Sequence, residues 1–378
     1  MRVMNKQIWK HRAPLLNTWQ AIESGTLRLG FIGGSITDAR ARHNWPEPVI
    51  AWFKEHYPHV RLFVENAAIG ATGSELAVFR AERDLIMRDC DLVFVDYSVN
   101  DDEEASEKRM RTREGLLRKL LADCSRDVVL VHTFRQSFYR EMSVGDTPAS
   151  IAEFEALAEH YGIGSVGMGL HALEEVRLGR MRWEEWLPDG LHPTERGSLS
   201  YARSVISFLE KELPGSVNPV KPTAKPLQLP LPLNPNNWEN ASILPLDEIE
   251  TEGPWVIRRW PHLEWMDQVL ETSAIGAKLK FTFEGTGLTL GFDFGATSSE
   301  LRYRLDNGPW KISERSRPVW CGNDGWYRMF TVAEDLINGS HEFEMEVVHG
   351  DTPECKGTNC RLALVGIIPG PITMMQDE

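Results

Sequence analysis

At 378 residues, with 42% hydrophobic and 25% charged side chains, the chain has the composition of a globular protein and the length of two domains. Its formal charge of -14 excludes partners that need a basic face, nucleic acid and anionic membrane alike, and favours a neutral substrate. No apolar run is long enough to cross a bilayer and no export signal stands at the N-terminus, so a cytoplasmic protein with its five cysteines as free thiols is expected.

Residues 1–26 are a lead-in carrying Trp9, Leu15, Leu16 and Trp19, expected to pack on the first domain or on a neighbouring subunit. From 27 to 213, apolar runs at 27–32, 60–64, 92–97 and 128–132 alternate with helix-period stretches at 46–57, 74–88, 103–122 and 151–161. Continuous apolar strands alternating with amphipathic helices predict an α/β domain whose parallel sheet is covered on both faces. A last helix over 194–212 follows Pro193, with Thr194 as its N-cap. Pro214, Pro219, Pro222, Pro226, Pro230, Pro232 and Pro235 then exclude helix and central strand, which predicts an extended surface connector over 214–237.

From 238 to 370 the hydrophobic period falls to two, at 278–284, 288–294, 301–306, 341–347 and 362–368, with Asn307-Gly308 as a hairpin turn. This predicts a separate all-β domain, a sandwich or jelly roll, followed by a tail over 371–378. Cys355 and Cys360 bracket a short loop and either pair, hold a metal or flank a plain turn; no second Cys/His pair at zinc spacing accompanies them.

Four blocks carry chemistry. Gly33-Gly34-Ser35-Ile36-Thr37 follows the first strand: two glycines permit a sharp turn and close approach, and the serine stands where an α/β fold puts a nucleophile. Asn66-Ala67-Ala68-Ile69-Gly70 follows the second, and Gly70 can present a backbone N–H to the same edge of the sheet. Ser98-Val99-Asn100-Asp101 follows the third, where the Asn100 amide can donate, or where Asn100 forms an Asx turn and Asp101 to Glu104 an acidic helix start. Asp189-Gly190-Leu191-His192-Pro193 precedes the last helix, and its spacing lets the Asp189 carboxylate reach the His192 ring across a tight turn, fixing the tautomer.

In this order the blocks resemble the SGNH (GDSL-type) hydrolase family over residues 27–213. The resemblance implies a three-layer, flavodoxin-like domain with Ser35 as nucleophile, His192 as general base and Asp189 as its orienting acid. It implies an oxyanion hole made by the Ser35 and Gly70 N–H groups and the Asn100 side chain, and it implies no metal or organic cofactor. The family's Gly-Asp-Ser-Leu is here Gly33-Gly34-Ser35-Ile36, and its Gly-x-Asn-Asp is here Ser98-Val99-Asn100-Asp101, which puts the backbone around Asn100 in question. Such variants are similar to the family's carbohydrate acetylesterases, which implies two-step acyl transfer from an acetylated sugar or oligosaccharide. A lipid or thioester hydrolase and a non-catalytic carbohydrate binder are the rivals.

Trp45, Trp183 and Trp186 flank these blocks and suit faces for a sugar ring, with core packing at helical spacing the alternative for Trp183 and Trp186. Asp38 is close to the nucleophile in sequence, and Arg80 either pairs with a carboxylate near the site or sits solvated on its helix. The β domain's Trp255, Trp260, Trp265, Trp310, Trp320 and Trp326 suit core, interface or glycan platform. These aromatics and the lead-in make a homo-oligomer the expectation.

Overall fold

The computed structural model describes residues 7–38, 43–213, 228–263, 266–313, 315, 317, 321, 325–352 and 355–370. The chain divides into two compact units, Met1–Glu239 and Asn240–Glu378. No helix of the described residues is long and apolar enough to cross a membrane.

In the first unit β1 (Trp9–Lys10), β2 (Thr26–Gly33), β3 (Arg61–Asn66), β4 (Leu92–Asp96), β5 (Asp127–Val131) and β6 (Gly164–Val166) form one sheet in the order β1-β6-β5-β4-β2-β3. Strands β2 to β6 run parallel, and β1 closes one edge antiparallel to β6. The helices are α1 (Leu16–Ser24), α2 (Pro46–His56), α3 (Ser74–Ala81), α4 (Ser106–Leu121), α5 (Tyr139–Val144), α6 (Ala149–Tyr161), α7 (Met168–Arg177), α8 (Trp183–Trp186) and α9 (Glu195–Glu212). Helix α4 packs on α3 and α6, whereas α9 packs on α2, α7 and α8, which gives the two helical layers. Strands β4 and β5 are buried at every position, as strands covered on both faces must be. Thr194 caps α9 by accepting the Gly197 N–H at 3.3 Å, where the sequence put that cap.

Four expected strands and five expected helices are present with shifted ends. The helix expected over 74–88 is α helical only to Ala81 and continues as a π-helical turn, Glu82–Ile86. Strands β1 and β6 are too short for a period to register, and α1, α5, α7 and α8 are short or interrupted by glycine.

The described part of the proline-rich stretch is tied to α4 of the first unit. Glu114 of α4 accepts the N–H groups of Leu233 (2.6 Å) and Asn234 (2.8 Å), and Trp238 donates its N–H to the Arg111 carbonyl at 3.1 Å. The Trp238 ring is buried at 1% exposure beside Phe79. Residues 214–227 lie outside the described residues.

The second unit has two antiparallel sheets. Its strands are β7 (Ser242–Ile243), β8 (Glu250–Glu252), β9 (Val256–Arg259), β10 (Gln268–Thr272), β11 (Lys278–Gly285), β12 (Gly287–Phe294), β13 (Glu300–Leu305), β14 (Lys311–Ile312), β15 (Trp326–Ala333), β16 (Gly339–Val348) and β17 (Cys360–Ile368). One sheet runs β15-β12-β17-β10-β9 with β7 on β17, and the other runs β14-β13-β16-β11-β8. Phe281, Phe283, Leu290, Phe292, Phe343 and Val365 fill the core of this sandwich. The β13–β14 turn has positive φ at Asp306 and Asn307, and the Gly308 N–H returns to the Leu305 carbonyl, so the turn sits one residue earlier than Asn307-Gly308 suggested. Cys355 and Cys360 are buried without a disulfide between them, and the Cys355 thiol donates to the Ser298 carbonyl at 2.8 Å. Trp260 is buried on Asp293, Trp255 and Trp326 are half-buried, and Trp310 is exposed over Arg302 and Arg304. Trp265 and Trp320 lie outside the described residues.

A Cβ at Gly115 of α4 would stand 2.6–2.8 Å from the Trp238 and Glu239 backbone. Gly115→Ala therefore destabilises the first unit by about 1–3 kcal/mol through overpacking, although alanine is the better helix former. Denaturant unfolding that shows a stabilised variant contradicts this docking.

Candidate active site

The order of strands puts β2 between β3 and β4, so the chain leaves β2 to either side and opens a crevice at the strands' carboxyl ends. Gly33 stands opposite Asp96, and Phe31 opposite Asn66. The loop after β3 keeps bonding along β2: Ala67 N–H reaches the Phe31 carbonyl at 2.8 Å and Ile69 N–H the Gly33 carbonyl at 2.9 Å. Gly70 thus arrives beside the serine, and a Cβ there would stand 3.3 Å from the Ser35 Cβ. A Cβ at Gly34 would lie 2.1 Å from Asn100 Oδ1. The Asn100 amide fills the space beside Gly34, so a side chain at this position, aspartate in the resembling family, would require that amide to move.

Ser35 Oγ lies 2.9 Å from His192 Nε2, and His192 Nδ1 lies 2.8 Å from Asp189 Oδ2. Asp189 Oδ1 also accepts the N–H groups of Leu191 (2.9 Å) and His192 (2.7 Å), so the tight turn orients its own carboxylate. A carboxylate only accepts, so the hydrogen sits on Nδ1 and leaves Nε2 to accept from the Ser35 hydroxyl; this tautomer is assigned from the partners. Burial raises the Asp189 pKa, but the bonds from the His192 ring and from the His192 and Leu191 amides outweigh it and hold the carboxyl below its usual range. Gly190 takes φ 79°, and its carbonyl accepts the Gln136 N–H at 2.8 Å, which ties the turn to the rest of the domain.

The Gly70 N–H points to the Asp38 carboxylate, at 3.3 Å from Oδ2. As a candidate donor it is engaged, by the longest of the bonds in the site. Beneath the serine turn, Asp96 accepts the hydroxyls of Thr37 and Thr133, both at 2.8 Å, and Trp45 Nε1 donates to Thr37 Oγ1 at 2.9 Å. Burial pushes the Asp96 carboxyl up to about 6.

The structure brings together Ser35, Gly70, Asn100, Asp189 and His192. The structure corrects the reading of Trp45 and decides between those of Trp186 and Arg80. Trp45 is wholly buried against Phe31 and Phe94 and holds Thr37, so it offers no face to a sugar. Trp186 is wholly buried against Phe134, with its Nε1 donating to the Tyr201 hydroxyl at 3.2 Å. Arg80 is neither solvated nor substrate-facing: at 4% exposure it binds Asp84, the Tyr97 hydroxyl and the Ala67 carbonyl, bracing the loop that carries Gly70. Trp183 remains half-buried, edge-on to Tyr139 and Phe134. Asp101 does not open α4 but caps α3 through the Ser74 N–H and hydroxyl, and pairs with buried Arg113 at 2.8 Å. Asp96 went unread because an aspartate ending an apolar strand carries no spacing signal. Among the described residues no cluster of three His, Cys, Asp or Glu is arranged to hold a metal ion.

No family model and no curated protein matches the chain. Two solved structures of a two-domain esterase (CEX) active on acetylated mannans are similar to it at 23% identity. One has a TM-score of 0.79 over 95% of this chain and 97% of that chain. The other, co-crystallised with mannopentaose, has 0.78 over 95% and 96%. A catalytic mutant of Axe2, an acetylxylan esterase from Geobacillus stearothermophilus, is 20% identical with a TM-score of 0.42, over 48% of this chain and 94% of that one. The two-domain likeness shows the fold alone: an α/β domain with a parallel sheet followed by a β-sandwich.

Asp96 makes the fold sensitive to pH. Its carboxyl titrates near 6 in the fold against an ordinary 3.8, so the stability it contributes is full below the lower value and lost as pH rises through the higher. Between those values the loss is about 1.4 kcal/mol per pH unit. The stability of the wild type relative to Asp96→Asn is expected to decline by about 3 kcal/mol from acid to neutral pH in denaturant unfolding; parallel curves contradict the buried carboxyl's role.

Proposed function

We propose that the chain is a serine esterase that removes acetyl groups from sugars or oligosaccharides. The observation that carries this is the unbroken chain from Ser35 Oγ through His192 to Asp189, at 2.9 and 2.8 Å, at the carboxyl edge of a parallel sheet. A hydroxyl with its proton directed at a neutral imidazole, itself held by an ionised carboxylate, is an activated nucleophile.

His192 Nε2 takes the Ser35 proton as Oγ attacks the ester carbonyl. Negative charge then collects on the carbonyl oxygen beside the Ser35 N–H, the Asn100 amide and Gly70. Donors fixed before the reaction stabilise that charge without reorganising. The Gly70 N–H joins them when the oxyanion replaces the 3.3 Å bond to Asp38. His192 returns the proton to the leaving alcohol, and water repeats the sequence to free the acid and Ser35. Asp189 stays ionised throughout and stabilises the imidazolium.

The substrate class draws on the neighbour of like fold, an esterase active on acetylated mannans. Half-buried Trp183 and exposed Tyr139, edge-on at 5.8 Å, are the aromatic surface near the His192 turn that suits a sugar ring. The acidic charge of the chain is compatible with a neutral glycan.

Hydrolysis of p-nitrophenyl acetate, butyrate and octanoate, and acetate release from acetylated manno- and xylo-oligosaccharides, test this with Ser35→Ala as blank. The expected result is a preference for acetate, release from the oligosaccharides, and a loss of about 10⁴-fold or more in Ser35→Ala. Preference for octanoate assigns the site to lipid or thioester substrates instead, and equality of wild type and blank on every ester overturns the esterase.

A further inference from the structure

We propose that Ser98, backed by His132, Glu155 and Ser150, is a positioning residue that holds the Asn100 amide in place; this rests on the esterase reading above. Ser98 stands where the resembling family has glycine, two residues before Asn100. Its side chain is fully buried, so it touches no substrate. Its hydroxyl lies 2.7 Å from His132 Nδ1, and His132 Nε2 lies 2.7 Å from Glu155 Oε1. Glu155 in turn accepts from Ser165 Oγ (2.6 Å), Lys10 Nζ (2.8 Å) and Arg12 (2.6 Å).

The proton positions in this relay follow from the partners. Glu155 is ionised: burial raises its pKa, but His132, Lys10 and Ser165 outweigh that and hold it far below the usual carboxylate range. It only accepts, so a hydrogen sits on His132 Nε2; Nδ1 of the neutral ring accepts from the Ser98 hydroxyl, and that of the charged ring donates to it. The hydroxyl of Ser98 is therefore locked in one rotamer rather than free to turn. The main chain at the same point is held from the other side, because Ser150 Oγ donates to the Ser98 carbonyl at 2.6 Å. Arg113 bonds Ser150, the Tyr97 carbonyl at 3.0 Å and Asp101 at 2.8 Å. Buried polar ties thus grip 97, 98 and 101, and the residue between them that bears the amide is Asn100.

A buried network of this kind carries its cost only if every member is satisfied, and each bond named here is made. Glycine at 98 makes no such side-chain tie; serine supplies it. Ångström-scale displacement of an oxyanion donor costs rate rather than binding, because the donor acts on charge that exists only in the transition state.

The test is a double-mutant cycle of Ser98→Ala and Asn100→Ala, read as kcat and KM on p-nitrophenyl acetate with thermal unfolding as control. Asn100→Ala is expected to lower kcat about 100-fold. Ser98→Ala is expected to lower kcat about tenfold with KM within about twofold, and to lower it less than about twofold once Asn100 is alanine. An equal tenfold loss in both backgrounds, a loss confined to KM, or a Ser98→Ala enzyme as fast as wild type overturns the proposal. Where Ser98→Ala yields no folded protein by circular dichroism, Ser150→Ala enters the same cycle and is held to the same outcomes. A wild type inactive on every ester overturns the esterase reading itself, and is thereby distinct from an active enzyme without coupling.

Discussion

The pairing of β2 with β4 is the constraint on which the site depends. Gly33 lies opposite Asp96, so the two strands end level, and the loops that leave them are forced into one crevice. The serine turn is tight because its neighbours are already there: the Asp96 backbone crowds Gly33, and the Asn100 amide occupies the space beside Gly34. The loop after β3 joins them by continuing its hydrogen bonds along β2 as far as Gly33. Three loops distant in sequence thus meet within one side chain's length of Ser35.

What holds those loops is largely buried and polar. Asp96 gathers Thr37 and Thr133 under the serine, Arg80 holds the Ala67 carbonyl, and Arg113 grips the loop of Asn100. Such groups are expensive to bury and are worth keeping only where each finds its partner. The His192 turn is the contrast: Asp189 and His192 are about half exposed, and the turn is kept in shape by Asp189 bonding its own backbone.

Sequence reading reached the parts whose information is local. The Asp189–His192 spacing spans one turn, the glycines mark a close approach, and the periods of two and 3.6 separate the β-sandwich from the α/β domain. Through the order of blocks it reached Gly70 and Asn100, which the structure brings beside the serine turn. It did not reach residues whose role depends on what lies across the sheet. Trp45 and Trp186 flank the functional blocks in sequence, yet both point into the core, because adjacency along the chain does not fix which face of an element a ring occupies. Arg80 looked like an ordinary helix arginine until the Tyr97 hydroxyl and Asp84 supplied its partners. Ser98 looked like a flaw in a motif, although its meaning lies 34 residues away at His132.

The central chemical claim is that Ser35 is the nucleophile and that His192 and Asp189 make it so. Its most direct test is the intact mass of the protein after treatment with diethyl p-nitrophenyl phosphate, followed by peptide mapping. Attack by Ser35 Oγ on phosphorus expels p-nitrophenolate while His192 takes the hydroxyl proton, and the diethylphosphoryl group remains on the enzyme. A serine esterase of this kind is expected to gain one adduct, on Ser35, with hydrolysis lost in proportion, and Ser35→Ala to gain none. An unmodified protein, or an adduct on another residue that accompanies inactivation, would contradict it.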